Sequence, residues 1–424
     1  MTSRISSWTF AHAFGTAAAI GGESAASPTS AVAMTMPTTR IIGDTAGLWW
    51  YPGMSMGEGW SDFFALAMTH SAAGDDPDGR YPSGAYIIYR FSTVALPGAV
   101  FTDNYVYGAR SFPVSTDNLV NPLTWADSDM LTVDYSGGMP PSPLGWETYA
   151  EGYHQIGVIW ATTLWEVRSR IIAANGGDVP LGNDLTLQII VDSLKMLPLN
   201  PGFTEARDAM IDADCAANAC ANEGSIWGGF ADRGLGYKAH TSLPTSVKWS
   251  VRESFSTPYL DALAPVIDDS QGNGNGFVDP GETVSIQVPL FNPWRNASRG
   301  VSSAHAVLTS GTPGVLISDD ISDYGSIPAG GTGLGDSFSF TLDPGAACGS
   351  SLQFDLATTS PLGKATTSFV VRVGRPTGAG APITLTRAIP GGLSIPDGSD
   401  HGVTDNFPID QDLEIADLDF RVDD

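Results

Sequence analysis

The sequence predicts a multidomain chain with a mainly α-helical part first, an antiparallel β-sandwich second and a short, truncated β segment last. Apolar residues recur at helical spacing before about residue 250, whereas they alternate with polar residues after Leu260. The 424 residues, with 49 glycines and 29 prolines, also exceed what one hydrophobic core usually supports. We therefore divide the chain into residues 1–45, 46–260, 261–375 and 376–424.

Three stretches of the second unit carry the helical pattern. The longest runs from Trp146 to Ala174 and ends at Asn175, which two glycines follow. Residues 186–197 end before Pro198, and residues 203–213 end before a pair of cysteines. These stretches predict a lobe of packed helices.

The two neighbouring cysteines are Cys215 and Cys220, and Cys348 lies far from both. Four residues separate the pair, and no histidine lies near it. This spacing is compatible with a small disulfide loop or with two free thiols, and it disfavours a zinc site.

The third unit shows the period of two that is typical of half-buried strands. Four runs alternate in this way: Val284-Ile286-Val288-Leu290, Phe338-Phe340-Leu342, Leu352-Phe354-Leu356 and Phe369-Val371-Val373. They predict an antiparallel sandwich of roughly 110 residues, similar to the Ig-like accessory domains of secreted enzymes.

The residues most informative about chemistry are Glu58 and Asp62. Their spacing of four places both carboxylates on one face of a helix. One carboxylate can bind a metal ion while the other orients a neighbouring ligand, because metal-bound imidazoles usually donate their second N–H to a carboxylate. Without other evidence, such a pair is an ordinary solvated or capping feature of an amphipathic helix.

A zinc peptidase needs two further nitrogen ligands and a general base, which an H-E-x-x-H motif supplies from one helix. No two of the six histidines are four residues apart: His12, His70, His154, His240, His305 and His401. These 424 residues therefore contain no H-E-x-x-H motif.

From Met56 to Ala239 the chain resembles the fungalysin-type (M36) zinc metallopeptidases, whose third zinc ligand lies in a G-E-G-W-S/G-D-F segment downstream of H-E-x-x-H. Here that segment begins at Gly57. Further segments follow in the order of the family: Ser115-Thr-Asp with Val120-Asn-Pro-Leu-Thr124, Tyr153-His-Gln-Ile-Gly157 with Trp160-Ala161, Leu187-Gln-Ile-Ile-Val-Asp192, Asn200-Pro-Gly-Phe203, Ala206-Arg-Asp-Ala209 and Phe230-Ala-Asp-Arg-Gly-Leu-Gly236. The resemblance implies the carboxyl-terminal, mainly helical lobe of a thermolysin-like (gluzincin) metallopeptidase.

Carried over residue by residue, the resemblance implies that Glu58 is a zinc ligand and that Asp62 steers a ligand histidine. It also implies that His154 hydrogen-bonds the oxyanion that forms when zinc-bound water attacks a peptide carbonyl. Judged without the family, His154 is a polar residue among the aromatic residues of a helix. Whether Arg110 contacts substrate stays open, as do the oligomeric state and the substrate preference.

The remaining zinc ligands would have to lie upstream of Glu58, where the sequence is of low complexity and holds only His12. A weak secretory signal beginning near Arg4 is one interpretation of this segment. We expect instead that the chain starts late or that a shifted reading frame has replaced the true amino-terminal lobe. The chain as written is therefore expected to be inactive as a peptidase.

The charge of the chain limits its partners. The net charge is -26, and only four lysines are present. This excess of carboxylates disfavours nucleic acids and anionic membranes and favours a secreted, extracellular chain with protein or peptide substrates. No apolar run approaches the roughly 20 residues that a bilayer-spanning helix needs.

A segment rich in glycine and asparagine opens the third unit and matches the register of a calcium loop, except that a neutral Gln occupies the first position. Asp269 could substitute there. The alternative is a turn that joins two domains. The candidate ligands are Asp269, Gln271, Asn273, Asn275, Phe277 (through its carbonyl), Asp279 and Glu282.

The last unit resembles the opening of the P (homoB) domains attached to many secreted proteases, with residues 415–422 as its strand. The further strands of such a domain are missing, and a lone pair of strands is marginal in water. Two functional classes remain: a secreted zinc metalloendopeptidase represented by its carboxyl-terminal part, and a non-catalytic secreted module that serves binding or attachment. Zinc content and peptide hydrolysis would discriminate them.

Overall fold

The computed structural model describes residues 41–42, 47–48, 51–70, 72–84, 108, 110–129, 152–242 and 250–374. The interpretations of residues 1–40 and of the P-like segment 376–424 concern parts of the chain outside these ranges. Within them, helices come first and antiparallel strands follow. The predicted helix-then-strand order is confirmed.

Five α-helices form the helical lobe, which we define as residues 51–239 in the described ranges. They are α1 (Tyr51–Thr69), α2 (Gly152–Ala174), α3 (Val179–Leu194), α4 (Phe203–Asn218) and α5 (Glu223–Asp232). Short 3-10 turns occupy Ala72–Gly74 and Trp125–Ser128. Helix α2 lies at the centre and packs against α1, α3 and α5.

The ends of these helices follow from local chemistry. Helix α2 ends where Gly176 and Gly177 adopt left-handed backbone angles, with φ of 73° and 81°. Helix α3 begins earlier than the predicted stretch, because the Asp178 carboxylate accepts the backbone N–H of Leu181 and caps it. Helix α4 continues past its predicted end at residue 213 and reaches Asn218, so Cys215 lies in its last turn.

Buried tryptophans dominate the core of the helical lobe. The rings of Trp60 and Trp160 meet edge to face at 5.6 Å, and Trp160 also packs against Phe203 and Phe230. Each large ring contributes heavily to apolar burial, and offset or edge contacts add to that contribution. The pairs fix how α1, α2, α4 and α5 lie against one another.

The axes of α1 and α2 approach closely at two glycines. A Cβ atom on Gly59 would lie 2.4 Å from the carbonyl oxygen of Gly157 and 2.8 Å from Cβ of Trp160. A Cβ atom on Gly157 would lie 2.9 Å from Cβ of Glu58. Only glycine permits this close approach of the helices. The approach brings the Glu58 side chain next to the first turn of α2.

Two four-stranded antiparallel sheets follow, and their apolar faces share one core. We call residues 261–374 the β lobe. The strands from residue 240 onward are β1 (His240–Ser242), β2 (Ser250–Arg252), β3 (Asp261–Ala262), β4 (Val266–Asp268), β5 (Thr283–Gln287), β6 (Leu290–Phe291), β7 (Ala304–Thr309), β8 (Val315–Asp319), β9 (Ile321–Tyr324), β10 (Thr332–Gly333), β11 (Phe338–Leu342), β12 (Ser351–Ser360) and β13 (Gly363–Arg372).

The strand orders of the two sheets are β4-β5-β11-β8 and β13-β12-β7-β9. Two smaller sheets have the orders β10-β6-β3 and β1-β2. Phe340 of the first sheet contacts Phe354 of the second at 5.1 Å between ring centroids. The inward positions of β11 and β12 are the alternating apolar residues noted in the sequence, since period-two spacing sends them to one face.

The β lobe docks on the helical lobe through a loop after β6. Trp294 in this loop packs into the core of the helical lobe, and its indole N–H donates to the carbonyl of Pro258 at 2.9 Å. The buried Glu223 carboxylate, at the start of α5, accepts the backbone N–H groups of Arg295 and Asn296 at 2.8–3.1 Å. The two lobes are therefore joined by buried polar and apolar contacts.

A disulfide joins Cys215, in the last turn of α4, to Cys220, in the turn that precedes α5. The carbonyl of Cys220 accepts the side-chain N–H of Asn296 at 2.8 Å, so this turn is part of the contact between the lobes. Cys348 is an exposed free cysteine. None of the helices in the described part of the chain combines the length and apolar character that a bilayer-spanning segment requires.

Candidate functional site

Glu58, Asp62 and His154 meet where α1 crosses α2. Glu58 and Asp62 lie one turn apart on α1, and His154 lies in the first turn of α2. The Nε2 atom of His154 is 3.4 Å from Oε2 of Glu58. The His154 side chain is 31% exposed and that of Glu58 is 20% exposed, whereas that of Asp62 is buried, with 3% exposed. The site therefore opens to solvent through Glu58 and His154.

Arg110 joins the two carboxylates. Its Nε donates to Asp62 Oδ2 at 2.7 Å, and its Nη2 donates to Asp62 Oδ1 at 3.1 Å and to Glu58 Oε2 at 3.0 Å. Burial lowers the pKa of the Arg110 guanidinium, but the charges and hydrogen bonds of Asp62 and Glu58 outweigh burial and raise that pKa overall. Arg110 is a permanent cation in the site.

This clamp was not predicted from the sequence, which left the role of Arg110 open. Arg110 lies 48 residues after Asp62 along the chain and begins a segment with almost no regular structure. We call this segment, residues 110–129, the strap. A single sequence carries no signal for such a contact, because neither spacing nor periodicity links Arg110 to α1.

The described residues do not by themselves fit a complete zinc site. Protein zinc sites with catalytic function use three protein ligands and one open position. Within the described ranges, no group of three or more His, Cys, Asp or Glu side chains could hold a metal ion. Glu58 and His154 supply one carboxylate and one imidazole, and Arg110 places a cation beside the carboxylate.

The candidate calcium loop forms a compact hydrogen-bond network. The Asp279 carboxylate accepts the side-chain N–H groups of Asn273 and Asn275, both at 2.7 Å. The Glu282 carboxylate accepts the backbone N–H groups of Asn273 at 2.8 Å and Asp279 at 3.1 Å. The buried Asp269 carboxylate accepts the backbone N–H of Gly276 at 3.0 Å.

Two further candidates of this loop lie outside that carboxylate network. Gln271 is exposed and makes no side-chain hydrogen bond to a described residue. Phe277 donates its backbone N–H to Asn275 Oδ1 at 2.8 Å. Asp269, Asp279 and Glu282 therefore each accept hydrogen bonds within the loop, and the asparagine amides present N–H groups to Asp279.

Comparison with known proteins finds a family model that matches the helical lobe. Residues 37–239 match the model of the fungalysin metallopeptidase (M36) family. An extracellular metalloproteinase of Pyricularia oryzae is 34% identical over 193 residues, which are 43% of this chain and 25% of that protein. One from Aspergillus niger is 33% identical over 215 residues, or 48% of this chain and 28% of that protein.

A probable extracellular metalloproteinase 1 of Arthroderma benhamiae is 33% identical over 195 residues, with 43% of this chain and 25% of that protein covered. The chain thus spans about a quarter of the length of the curated relatives it matches. A solved structure of a DUF4466 family protein from Parabacteroides merdae aligns with a TM-score of 0.15 at 15% identity, over 28% of this chain and 45% of that one. Over residues 37–239 this chain is therefore similar to the fungalysin (M36) metallopeptidases.

Proposed function

We propose that the helical lobe is the carboxyl-terminal lobe of a secreted, thermolysin-like zinc endopeptidase and contributes Glu58, Asp62 and His154 to its active site. The observation that carries the proposal is the crossing of α1 and α2, which brings a carboxylate and an imidazole from separate helices to 3.4 Å. Fungalysin metallopeptidases depend on zinc, and the relatives are named extracellular metalloproteinases. Protein or peptide substrates follow from this family.

Glu58 is the proposed zinc ligand of this lobe. Its Oε2 atom accepts from Arg110, and no hydrogen bond from a described residue reaches Oε1. A carboxylate with one oxygen fixed and the other available can bind a metal ion in one orientation. Asp62, whose two oxygens hold Arg110, keeps acceptor capacity for the N–H of a ligand histidine.

His154 has a separate proposed role. Its imidazole is partly exposed beside Glu58, at the open side of the site. An N–H in this place can donate to a substrate carbonyl oxygen as negative charge develops on it. Loss of one such donor typically costs a factor of about 10² to 10³ in rate.

The two histidine ligands and the general base are absent from these 424 residues, which contain no H-E-x-x-H. We therefore propose that the chain alone is inactive and that activity requires this motif from another segment. The alternative, a non-catalytic secreted module, keeps the same fold and needs no zinc. Metal content and hydrolysis of the completed protein distinguish the two.

We expect the 424-residue chain to contain substoichiometric zinc and to leave casein intact. Joined to the H-E-x-x-H-bearing lobe of a fungalysin relative, it should bind one zinc ion per chain and hydrolyse casein, because Glu58 then completes the ligand set. In the joined protein, Asp62→Asn should weaken zinc binding by about 10- to 100-fold, and Glu58→Gln by at least as much. Zinc is measured by elemental analysis after titration with a chelator.

Glu205→Gln in the joined protein is the matched control. Glu205 is a carboxylate on α4 that accepts the backbone N–H of Gly202, away from the site. It should leave zinc affinity and hydrolysis unchanged. A joined protein that folds but binds no zinc, or one that Glu58→Gln does not affect, would favour the non-catalytic module.

We also propose that the loop of residues 269–282 binds calcium and stiffens the start of the β lobe. The support is that the loop keeps the register of a calcium site and that Asp269, Asp279 and Glu282 each accept hydrogen bonds within it. Binding requires the side-chain oxygens of Asn273 and Asn275 to replace their N–H groups. The amides must then rotate and give up the hydrogen bonds that these oxygens accept from the backbone N–H groups of Asn275 and Phe277. The cation would have a structural role, since the loop lies outside the Glu58 site.

Calcium should raise the unfolding temperature of the chain, because it binds only the folded loop. A tenfold excess over the dissociation constant corresponds to about 1.4 kcal/mol of stabilisation. Glu282→Gln should abolish the increase, measured by calorimetry with calcium and with chelator. Asp268→Asn, which changes an exposed neighbour that caps Ser270, should retain it. An unfolding temperature that is insensitive to calcium contradicts the proposal.

A further inference from the structure

Much of the strap is buried although it has almost no regular structure. Phe112, Val114, Ser115, Leu123 and Trp125 are each at most 5% exposed. Its regular hydrogen bonds are a bridge between Val114 and Tyr81, a turn at Asp117 and one 3-10 turn. The carbonyls of such a segment need donors from elsewhere, because an unpaired buried polar group is costly.

Arg233 supplies these donors. Its Nη1 donates to the carbonyls of Asn121 at 2.7 Å and Leu123 at 3.2 Å, and its Nη2 donates to the carbonyl of Ser115 at 2.7 Å. Its side chain is fully buried. One rigid guanidinium therefore fixes three points of the strap in a single plane, which a lysine cannot do.

Glu166 holds Arg233 in place. Its Oε1 accepts from Arg233 Nε at 3.0 Å and lies 2.9 Å from Nη2. Burial raises the pKa of Glu166 to about 7, and the charge of Arg233 opposes that rise. Glu166 lies on α2, the helix that carries His154, so the same helix orients the imidazole and the guanidinium that holds the strap.

The strap leads directly from this anchor to the site. Ser115, which Arg233 binds, is five residues from Arg110, which binds Asp62 and Glu58. The intervening Pro113 is held as well, since its carbonyl accepts the side-chain N–H of Asn121 at 2.9 Å. The position of Arg110 is thus fixed by groups that do not themselves contact Glu58 or Asp62.

We propose that Arg233 is a positioning residue: by pinning the strap it sets the Arg110 guanidinium on Asp62 and Glu58. The role assigned to the carboxylates rests on the proposed function, but the coupling of Arg233 to Arg110 does not. Arg233→Lys keeps the charge and loses the planar fork. This substitution should weaken the contact of Arg110 with Asp62 and Glu58 while the helical lobe stays folded.

The test is hydrogen exchange of the Arg110 Nε–H in the 424-residue chain labelled with ¹⁵N-arginine. The resonance is identified by its absence in Arg110→Lys. Because Nε donates to Asp62 at 2.7 Å in a buried position, its exchange should be slow in the unaltered chain. We expect Arg233→Lys to accelerate it about tenfold or more, which is about 1.4 kcal/mol of local opening.

Arg207→Lys is the matched control. Arg207 is also buried, and it also donates to backbone carbonyls, those of Leu235 and Gly236 at 2.9 and 2.8 Å. It should destabilise the lobe without accelerating Arg110 exchange under conditions where both variants stay folded. Glu166→Ala, which removes the partner of Arg233, should act like Arg233→Lys and replaces it if that variant does not fold.

Unchanged Arg110 exchange in a folded Arg233 or Glu166 variant would overturn the proposal. Equal acceleration by Arg207→Lys would overturn it too, because the effect would then be general loosening. Neither readout involves zinc or hydrolysis. Failure of the proposed peptidase function would therefore leave this result unaffected, and the reverse also holds.

Discussion

Gly59→Ala should destabilise the helical lobe by about 2 kcal/mol or more, even though alanine gains about 1 kcal/mol over glycine within a helix. The added methyl group would lie 2.4 Å from the Gly157 carbonyl oxygen and 2.8 Å from Cβ of Trp160. Neither atom is the flexible end of a side chain, so the two helices must separate. Urea unfolding followed by tryptophan fluorescence measures the loss.

Gly74→Ala is the control for this prediction. Gly74 lies in the 3-10 turn after α1, and a Cβ atom there meets nothing within 4 Å. This variant should match the unaltered chain within about 0.5 kcal/mol, as surface substitutions usually do. If Gly59→Ala were as stable as Gly74→Ala, the close crossing of α1 and α2 would be wrong.

Arg110→Leu should cost about 3–5 kcal/mol, which is typical when one partner of a buried ion pair is removed. The substitution leaves the buried Asp62 carboxylate next to Glu58 with no cation between them. Asp62→Asn in the same chain should recover much of the loss, because it removes the stranded charge. The coupling is obtained from the four free energies of unfolding of a double-mutant cycle.

The pair formed by Arg170 and Asp232 provides the comparison. It is bidentate like that of Arg110, at 2.6 and 2.8 Å, but the Arg170 side chain is 46% exposed. Arg170→Leu should therefore cost less than about 1 kcal/mol. An Arg110→Leu chain no less stable than Arg170→Leu would show that the clamp contributes little.

The arrangement of helices and strands followed from local patterns. The alternation Phe338-Phe340-Leu342 predicts the inward face of β11, because side chains of a strand point to opposite faces in turn. The glycines after Ala174 likewise predict the end of α2. The early start of α3 was missed, since the capping by Asp178 outweighs the weaker apolar spacing of its first residues.

The site was predictable only where its residues share one helix or a family motif. Glu58 and Asp62 were found by their spacing, and His154 by the resemblance. Arg110 binds carboxylates and Arg233 binds backbone carbonyls, and these partners lie 48 or more residues away along the sequence. Such contacts depend on tertiary packing of an irregular segment, for which a single sequence offers no periodic signal.

The contact at Glu223 has a consequence for how the β lobe can vary. Glu223 accepts the backbone N–H groups of residues 295 and 296. This part of the contact therefore does not depend on the side chains at those two positions. Trp294, by contrast, fills a space in the neighbouring core. A different β domain could replace this one if it kept one aromatic residue and the same loop path. Removal of the β domain would instead leave the buried Glu223 carboxylate without these hydrogen-bond donors and would leave a cavity in the core of the helices.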